Sequence, residues 1–296
     1  MLDDLKLEPD YDGFLYLAES VRNPPTIKSH HHVELELNLV AQGTISYVLG
    51  GQRFTFGRRS LLWLFPAQEH QWVGRSSDAQ NYVVVFKPGM IDRACKSPAY
   101  EGLKCQKPEA NGVLHTVIPP ATFHLVKMTM DALMEDGPDP EVLNRESGFG
   151  VGSDFRYEHR DPDGLNAGLR YLLLLCWRCQ RGNMPRVGAV ALHPAVHKAL
   201  DLLSTDEQKF DMSHLARRCG VSEAHLSRLF ARQVGVPLTR YRNSVRLAQF
   251  LASYRGSEQK TMTEMVFEAG FGSYAQFHRV FTQAYGCGPR ECLRRT

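Results

Sequence analysis

The spacing of polar and apolar residues changes character along the chain. Between about residues 12 and 118 the period is two. His31, Val33, Leu35, Leu37 and Leu39 alternate with His30, His32, Glu34, Glu36 and Asn38, the pattern of a strand with one apolar and one polar face. Residues 45–49 and 52–56 are strand-like runs separated by Gly50-Gly51, a hairpin signal. Residues 61–65 and 82–86 are two more apolar runs of strand length, and short strands at such spacing predict a sandwich or barrel. After Pro119-Pro120 the period changes: Phe123, Val126, Met130 and Leu133 recur at three and four, predicting a helix. Residues 136–163 are rich in Gly, Pro, Asp and Arg without periodicity and predict a long exposed loop. Residues 164–181 return to helical spacing, with Leu165, Leu169, Leu172, Leu173 and Cys176 on one stripe that Leu174, Leu175 and Trp177 widen. So apolar a helix is buried, either in its own domain or against a second subunit.

From residue 193 onward the pattern is helices joined by short turns. Met212, Leu215 and Ala216 form the inner face of a short helix over 211–218, and Gly220 supplies the positive φ for the turn Cys219-Gly220-Val221. Ser222 is placed to cap a helix over 223–233 whose stripe is Leu226, Leu229 and Phe230. About fifty residues later the arrangement recurs. Thr261 caps 262–269, Gly270-Phe271-Gly272 turns the chain, and Ser273 caps 274–285 with Phe277, Val280 and Phe281 inward. Helix, glycine turn and second helix with a basic outer face is the helix-turn-helix layout, and its duplication is far stronger evidence than a single copy. Pro237 opens a long helix over 238–254, about 25 Å at 1.5 Å per residue, which holds the two second helices apart. On it Arg240, Arg242 and Arg246 leave two readings open, contact with phosphate or pairing with acidic neighbours.

Composition adds a charge asymmetry. Residues 193–296 hold 15 Lys/Arg against 9 Asp/Glu, whereas residues 1–192 hold 20 against 23, so a polyanion partner belongs to the C-terminal third. The N-terminus is acidic with no apolar run, and the most apolar stretch, 171–177, is too short to span a bilayer. The expectation is a cytoplasmic protein with no membrane partner. Seven cysteines at irregular positions suggest reduced thiols rather than a secreted disulfide framework. Cys176 and Cys179 have a metal-pair spacing, but they fall within a helix and no second pair accompanies them. No nucleophile–base arrangement or phosphate loop is present, so the chain does not read as an enzyme.

Several segments resemble the AraC/XylS regulator signature: His214-Leu215-Ala216 through Gly220-Val221-Ser222, Leu226-Ser227-Arg228-Leu229-Phe230, Gly235-Val236-Pro237, Tyr241, Arg246-Leu247-Ala248, Val266 to Phe281, and the ending Gly286 to Arg294. The resemblance covers about a hundred residues and implies a sequence-specific transcriptional regulator, an activator, whose partners are double-stranded DNA and RNA polymerase. Carried over by position, it implies that Ala224, Ser227, Arg228 and Arg232 of the first unit, and Tyr274, Ala275, Gln276, His278 and Arg279 of the second, face DNA. Arg228 and Arg279 suit guanine and Gln276 suits adenine; for the arginines, a surface ion pair or a phosphate contact remains the alternative.

Upstream, His30-x-His32-x-x-x-Glu36 followed by Gly43 fits the first cupin motif, with Pro24 where that motif usually opens on glycine, and His70 falls where the second motif places its histidine. This resembles the sensor domain of AraC-type regulators, and residues 32–43 with Trp63-Leu64-Phe65-Pro66 and His70-Gln71 are most similar to the melibiose-regulator branch. The implied effector is a small polar metabolite, a carbohydrate by that branch, bound among His30, His32, Glu36, Trp63 and His70, with Trp63 or Trp72 stacking on its ring. If the polar face of 30–38 is instead the wet side of a sheet, it binds nothing. The two His, the Glu and His70 are also a donor set for a transition metal, but hydrogen-bonded or ligand-contacting histidines are preferred, and no cofactor is expected. A metal-dependent cupin enzyme fused to a DNA-binding domain, or a regulator with no small-molecule effector, are the competing readings.

The expected fold is α+β. A cupin-like β-barrel with two helices (1–181) senses effector and dimerises through the 164–181 helix, with Leu169 and Leu172 at the seam. A linker (182–192) leads to an all-α DNA-binding domain (193–296) whose helix-turn-helix units, at about 211–234 and 261–285, are joined by the long helix.

Overall fold

The polar–apolar alternation of residues 35–39 places buried side chains on both sides of a strand, not on a dry side and a wet one. The fold is a computed structural model describing residues 5, 7–19, 29–106, 113–139, 156–181, 190–204, 211–255, 260–285 and 287–294. Its first strands are β1 (Gly13–Glu19), β2 (Leu35–Gln42), β3 (Thr44–Leu49), β4 (Gln52–Gly57), β5 (Ser60–Leu64), β6 (His70–Arg75) and β7 (Gln80–Phe86). Helix α1 (Pro88–Ala94) and a 3₁₀ turn (Pro98–Lys104) lead to β8 (Leu114–Val117), then come α2 (Pro120–Met134), α3 (Pro162–Arg178) and β9 (Val190–Ala191). One antiparallel sheet has the order β1-β7-β2-β5-β8 and the other β6-β3-β4-β9. Both contribute to a single apolar cluster.

In β2 the residues Leu35, Leu37 and Leu39 pack under α2 and α3, which cover the outer face of the first sheet. Tyr82 on that face donates its hydroxyl hydrogen bond to Asp131 of α2. The even-numbered residues Glu36 and Asn38 are equally buried and point between the two sheets. The strand starts later than the alternation predicts: His30 joins only through an isolated bridge to His70. Most of the predicted loop 136–163 lies outside the described residues, but Tyr157 is buried and donates to the Leu15 carbonyl at 3.3 Å. Of the expected linker 182–192, residues 182–189 lie outside the described residues, while Val190 and Ala191 pair with Arg53 and Gln52 at the edge of the second sheet.

The remainder is helical: α4 (Pro194–Ser204), α5 (Met212–Arg218), α6 (Glu223–Val234), α7 (Leu238–Arg255), α8 (Met262–Glu268), α9 (Tyr274–Tyr285) and α10 (Pro289–Arg294). Two separate cores form. Val196, Leu200, Leu215, Leu226, Phe230, Val234, Tyr241 and Val245 make one; Leu247, Phe250, Met265, Val266, Phe271, Phe277 and Phe281 make the other. Helix α7 serves the first with its N-terminal half and the second with its C-terminal half.

The first of these cores also takes in Val48 and Val73 from the outer face of the second sheet. Beside them, Gln71 donates from Nε2 to the Tyr241 hydroxyl at 2.6 Å, and Arg53 donates to the Gln233 carbonyl at 3.2 Å. The barrel is therefore seated on the first helix-turn-helix unit through apolar and polar contacts together.

Helix α3 corrects one expectation. Leu169 and Leu172 are fully buried within the chain, packed against the barrel, so they are unavailable as a seam between subunits. The exposed apolar residues nearby are Tyr171 on α3 and Leu125 and Met128 on α2.

Candidate functional sites

The two helix-turn-helix units are built by matching local devices. Asp211 caps α5 by accepting from the His214 amide at 2.7 Å, and Ser222 caps α6 by accepting from the His225 amide at 3.3 Å. In the second unit Thr261 and Glu264 form a reciprocal capping box, and Ser273 accepts from the Gln276 amide at 3.1 Å. Each cap satisfies a donor that the first turn of a helix leaves without an intrahelical partner. The turns correspond as well. Val221 N donates to Ala216 O at 3.1 Å and Phe271 N to Val266 O at 3.2 Å, around Gly220 and Gly270, which have φ of 73° and 83°. A side chain would be strained at either glycine.

The second turn is one residue longer. Leu215 corresponds to Met265, fifty residues on, but Leu226 corresponds to Phe277, fifty-one on. The extra residue is Gly272, and its amide donates to Gln276 Oε1 at 3.0 Å. That oxygen is thus engaged within the protein, and adenine recognition by Gln276 requires it to be shared or released. On the outer faces Ala224, Arg228, Arg232, Ala275, His278 and Arg279 are exposed, while Ser227, Tyr274 and Gln276 are half-buried. Tyr274 is partly covered because its ring packs on Phe277 at 5.7 Å and its hydroxyl meets Met262.

The arginines of α7 divide. Arg240 is exposed, whereas Arg242 and Arg246 are buried. The guanidinium of Arg246 lies over the Phe271 ring at 5.9 Å, and burial lowers its pKa to about 10. Burial also lowers Arg242, opposed by the charge of Asp211, the cap of α5. Arg242 and Arg246 are therefore packed inside the domain, and of these three arginines Arg240 alone is exposed.

The second site lies between the sheets. Strand alternation points His70 and Trp72 of β6 inward, toward Glu36 and Asn38 of β2. His32 Nε2 is 3.2 Å from Glu36 Oε2, and His70 Nε2 is 3.9 Å from the same oxygen. His30 is pinned beside His70 by reciprocal backbone hydrogen bonds of 3.0 and 2.9 Å, with ring centroids 4.3 Å apart. One nitrogen from each of His30, His32 and His70 lies within 4.8 Å of the others. The second Glu36 oxygen accepts from Asn38 Nδ2 at 2.6 Å, and Asn38 Oδ1 accepts from Asn81 at 2.6 Å and from the Tyr47 hydroxyl at 3.2 Å. Trp72 stacks beside Tyr47 at 6.2 Å, with Arg75 over its ring at 5.0 Å.

The electrostatics follow from burial. Burial would raise the Glu36 carboxyl, but the hydrogen bond from His32, the His70 ring and Asn38 hold it down to about 2. Burial opposes the charging of His32, yet its bond to Glu36 raises its pKa. His70 is pushed down to about 3, by burial first and then by His30. The carboxylate is ionised and His70 is neutral at pH 7.

Four of the five residues expected to bind effector, His30, His32, Glu36 and His70, are brought together. Trp63 is not. It pairs across the sheet with Leu37, not Glu36, and so faces the other way, with its ring against Phe86 and edge-on to Trp177 of α3 at 5.5 Å. Pairing register decides the face of a strand residue, and the single strand 61–65 carries no signal of it. Asn38, Tyr16, Tyr47, Asn81 and Arg75 join the chamber instead. Asn38 was visible in the alternation; the others needed the neighbouring strands.

Comparison with known proteins agrees with both halves. The family model described as an AraC-like ligand binding domain matches residues 15–138, and one described as a helix-turn-helix domain matches residues 215–295. The HTH-type transcriptional activator RhaR of Yersinia pseudotuberculosis serotype O:3 is 30% identical over 101 residues, which is 32% of this chain and 34% of that protein. RhaR of Yersinia pestis strain Angola matches to the same extent. The chain thus spans about a third of the length of the curated relatives it matches. Among solved structures, ToxT from Vibrio cholerae is 14% identical, covering 95% of this chain and 97% of that one, with a TM-score of 0.33; at that score the likeness adds nothing to the assignment. With a sensor-domain match and a DNA-binding-domain match in the family's order, this chain belongs to the AraC family of transcriptional regulators.

Proposed function

We propose that the chain is a ligand-responsive, sequence-specific transcriptional regulator that acts on double-stranded DNA in the cytoplasm and has no catalytic role. The observation that carries this is the duplicated unit: two capped recognition helices, α6 and α9, each with an exposed arginine on its outer face, Arg228 and Arg279. At 1.5 Å per residue the eighteen residues of α7 span about 27 Å, and successive major-groove segments repeat about every 34 Å. One chain then reads two neighbouring segments of an asymmetric site. The activator sense is supported by the relatives named as activators, and in this reading the chain contacts RNA polymerase. None of the described helices is long and apolar enough to cross a membrane.

The chamber between the sheets is the effector site in this reading, with His30, His32, Glu36 and His70 at one end and Asn38, Tyr47 and Trp72 beyond them. Its buried hydrogen-bonding groups suit a small polar ligand, hydroxyl-rich molecules such as carbohydrates included. A second copy of the chain docks on the α2–α3 face. Ala121, Leu125, Met128 and Ala132 are all exposed on α2 at spacings of four, three and four, the seam of a two-helix contact, with Tyr171 of α3 alongside. Selection from a pool of random duplexes tests the DNA-binding function: a recurrent sequence of two half-motifs is expected, and retention of all duplexes alike, with the same salt dependence, refutes it.

A further inference from the structure

We propose that Cys287 and Cys292 form a reversible thiol–disulfide site, oxidised by a low-molecular-weight disulfide and reduced by its thiol, that sets the DNA affinity of the second helix-turn-helix unit. The inference rests on the reading of the chain as a cytoplasmic DNA-binding regulator and adds to it an input outside the barrel.

Pairing is the first argument. The sequence suggests reduced thiols throughout, but Cys287 and Cys292 are bonded to each other, with Cα atoms 5.9 Å apart. That lies within the range of about 4.4–6.8 Å that a disulfide spans without moving the backbone. The other five cysteines form no disulfide, and Cys95, Cys176 and Cys219 among them are buried. Cys287 and Cys292 are both half-buried, and so open to a small reagent, as thiol–disulfide exchange requires. Disulfides that occur in the cytosol are mostly redox-sensing or catalytic.

Accommodation of both states is the second argument. The bond closes a loop of only five positions, so it constrains the unfolded chain little. The core of Phe250, Phe271, Phe277 and Phe281 holds the unit with or without it. With the bond open, the Cys287 thiol has an acceptor at hand, because its Sγ is 3.5 Å from the Tyr285 carbonyl at the end of α9. Cys292 packs on the edge of the core from α10, where a thiol behaves as a small apolar side chain.

Position is the third. Cys287 follows the last residue of α9 by two, and Cys292 lies in α10, so the bond ties the end of the second recognition helix to the helix after it. The turn between them lies against His278: a side-chain carbon at Gly288 would stand 3.4 Å from His278 Nε2. In the bonded form His278 and Arg279 are exposed on the outer face of α9. Closing the bond fixes the turn beside this surface, and opening it releases the turn.

In the oxidation, one cysteine thiolate attacks a sulfur of the small disulfide and expels one thiolate. The second cysteine thiolate then attacks the mixed disulfide at the protein sulfur and expels the other. Two protons pass from the cysteines to the departing thiols, and two electrons pass to the small disulfide. Reduction is the reverse.

The test uses the full-length protein equilibrated in glutathione buffers of graded thiol-to-disulfide ratio. Trypsin cuts after Arg290, between the two cysteines, so the flanking peptides stay linked only where the bond is closed, and mass spectrometry reads the fraction. Expected are a reversible two-electron titration of this pair, about fivefold tighter binding of the oxidised protein to a duplex carrying both half-motifs, and faster hydrogen exchange in α9 and α10 on reduction. Cys287→Ser and Cys292→Ser should each hold the affinity at the reduced value at every ratio; if a variant misfolds, the wild-type protein at the two ends of the titration still decides. A bond that never forms, or that resists reduction in the folded protein, overturns the site, and equal affinity for the duplex in both states overturns its role. The titration and the exchange are read without DNA, so failure of the DNA-binding reading would show separately, as retention of all duplexes alike by oxidised and reduced protein.

Discussion

Removing one oxygen atom from Tyr241 should loosen the barrel from the DNA-binding half. Tyr241 and Gln71 are both nearly inaccessible to solvent, and the Gln71 amide donates to the Tyr241 hydroxyl at 2.6 Å. Tyr241→Phe keeps the ring, and with it the edge-on contact to Phe230 at 5.2 Å, so the helical core should survive. A buried hydrogen bond contributes about 0.5–1.5 kcal/mol net, and leaving the amide donor buried without this partner costs about 1–3 kcal/mol. The expected loss is therefore about 1–3 kcal/mol of docking free energy, roughly a five- to 150-fold shift toward undocked molecules. Urea unfolding of wild type, Tyr241→Phe, Gln71→Leu and the double variant completes a cycle. Gln71→Leu with Tyr241→Phe removes both polar groups and should be milder than the sum of the singles. Hydrogen exchange at β6 should accelerate in Tyr241→Phe alone. Single changes that add with a coupling below about 0.5 kcal/mol would show that this bond does not hold the halves together.

Four further outcomes are expected. Arg279→Ala should cost about 1–3 kcal/mol of binding and relax preference at one base pair; uniform weakening on every duplex would assign Arg279 to phosphate. Leu125→Glu with Met128→Glu should give monomers in sedimentation while leaving the fold intact, whereas Leu172→Glu should unfold the barrel, because a buried leucine on α3 has no room for a charge. Ser222→Ala should lower stability by about 1 kcal/mol through the lost cap on α6, read as a lower urea midpoint. Burial pushes the His115 imidazole down to about 4, so the unfolded chain, with an ordinary histidine, binds more protons between pH 6.5 and 4. Stability from this residue is present above pH 6.5 and lost as pH falls through that window; His115→Phe should flatten the slope of Tm against pH there, and an unchanged slope would refute the assignment.

The DNA-binding half was legible because every device in it is local. A cap, a glycine turn and a stripe at three and four lie within a dozen residues, and Gly220, Gly270, Ser222 and Thr261 do what their chemistry predicts. The internal duplication then removed the ambiguity of each copy. What failed were statements about which neighbour a side chain meets. Trp63 looked like a stacking platform, but its face is set by pairing to Leu37, a partner 26 positions away. Arg242 and Arg246 share a helix with the exposed Arg240, and only the packing of α7 against Phe271 and the α5 cap separates their fates. The stripe on the 164–181 helix was read correctly as buried, but helical period alone does not say against what; the barrel takes Leu169 and Leu172, leaving α2 to present the free apolar side chains.

Strand β6 places the candidate ligand site and the contact between the halves one residue apart. His70 and Trp72 face the chamber, while Gln71 and Val73 face the first helix-turn-helix unit, because neighbours on a strand point to opposite sides. A ligand held by His70 acts on the same backbone that carries Gln71 to Tyr241, with no intermediate element to absorb the change. A tenfold shift between docked and free states needs about 1.4 kcal/mol of differential affinity, which is the size of one buried hydrogen bond. The single Gln71–Tyr241 contact is thus large enough to be the difference between the two states, and small enough for an occupant of the chamber to outweigh. A tighter interface would leave the DNA-binding half deaf to the chamber, and a weaker one would leave nothing for the ligand to change.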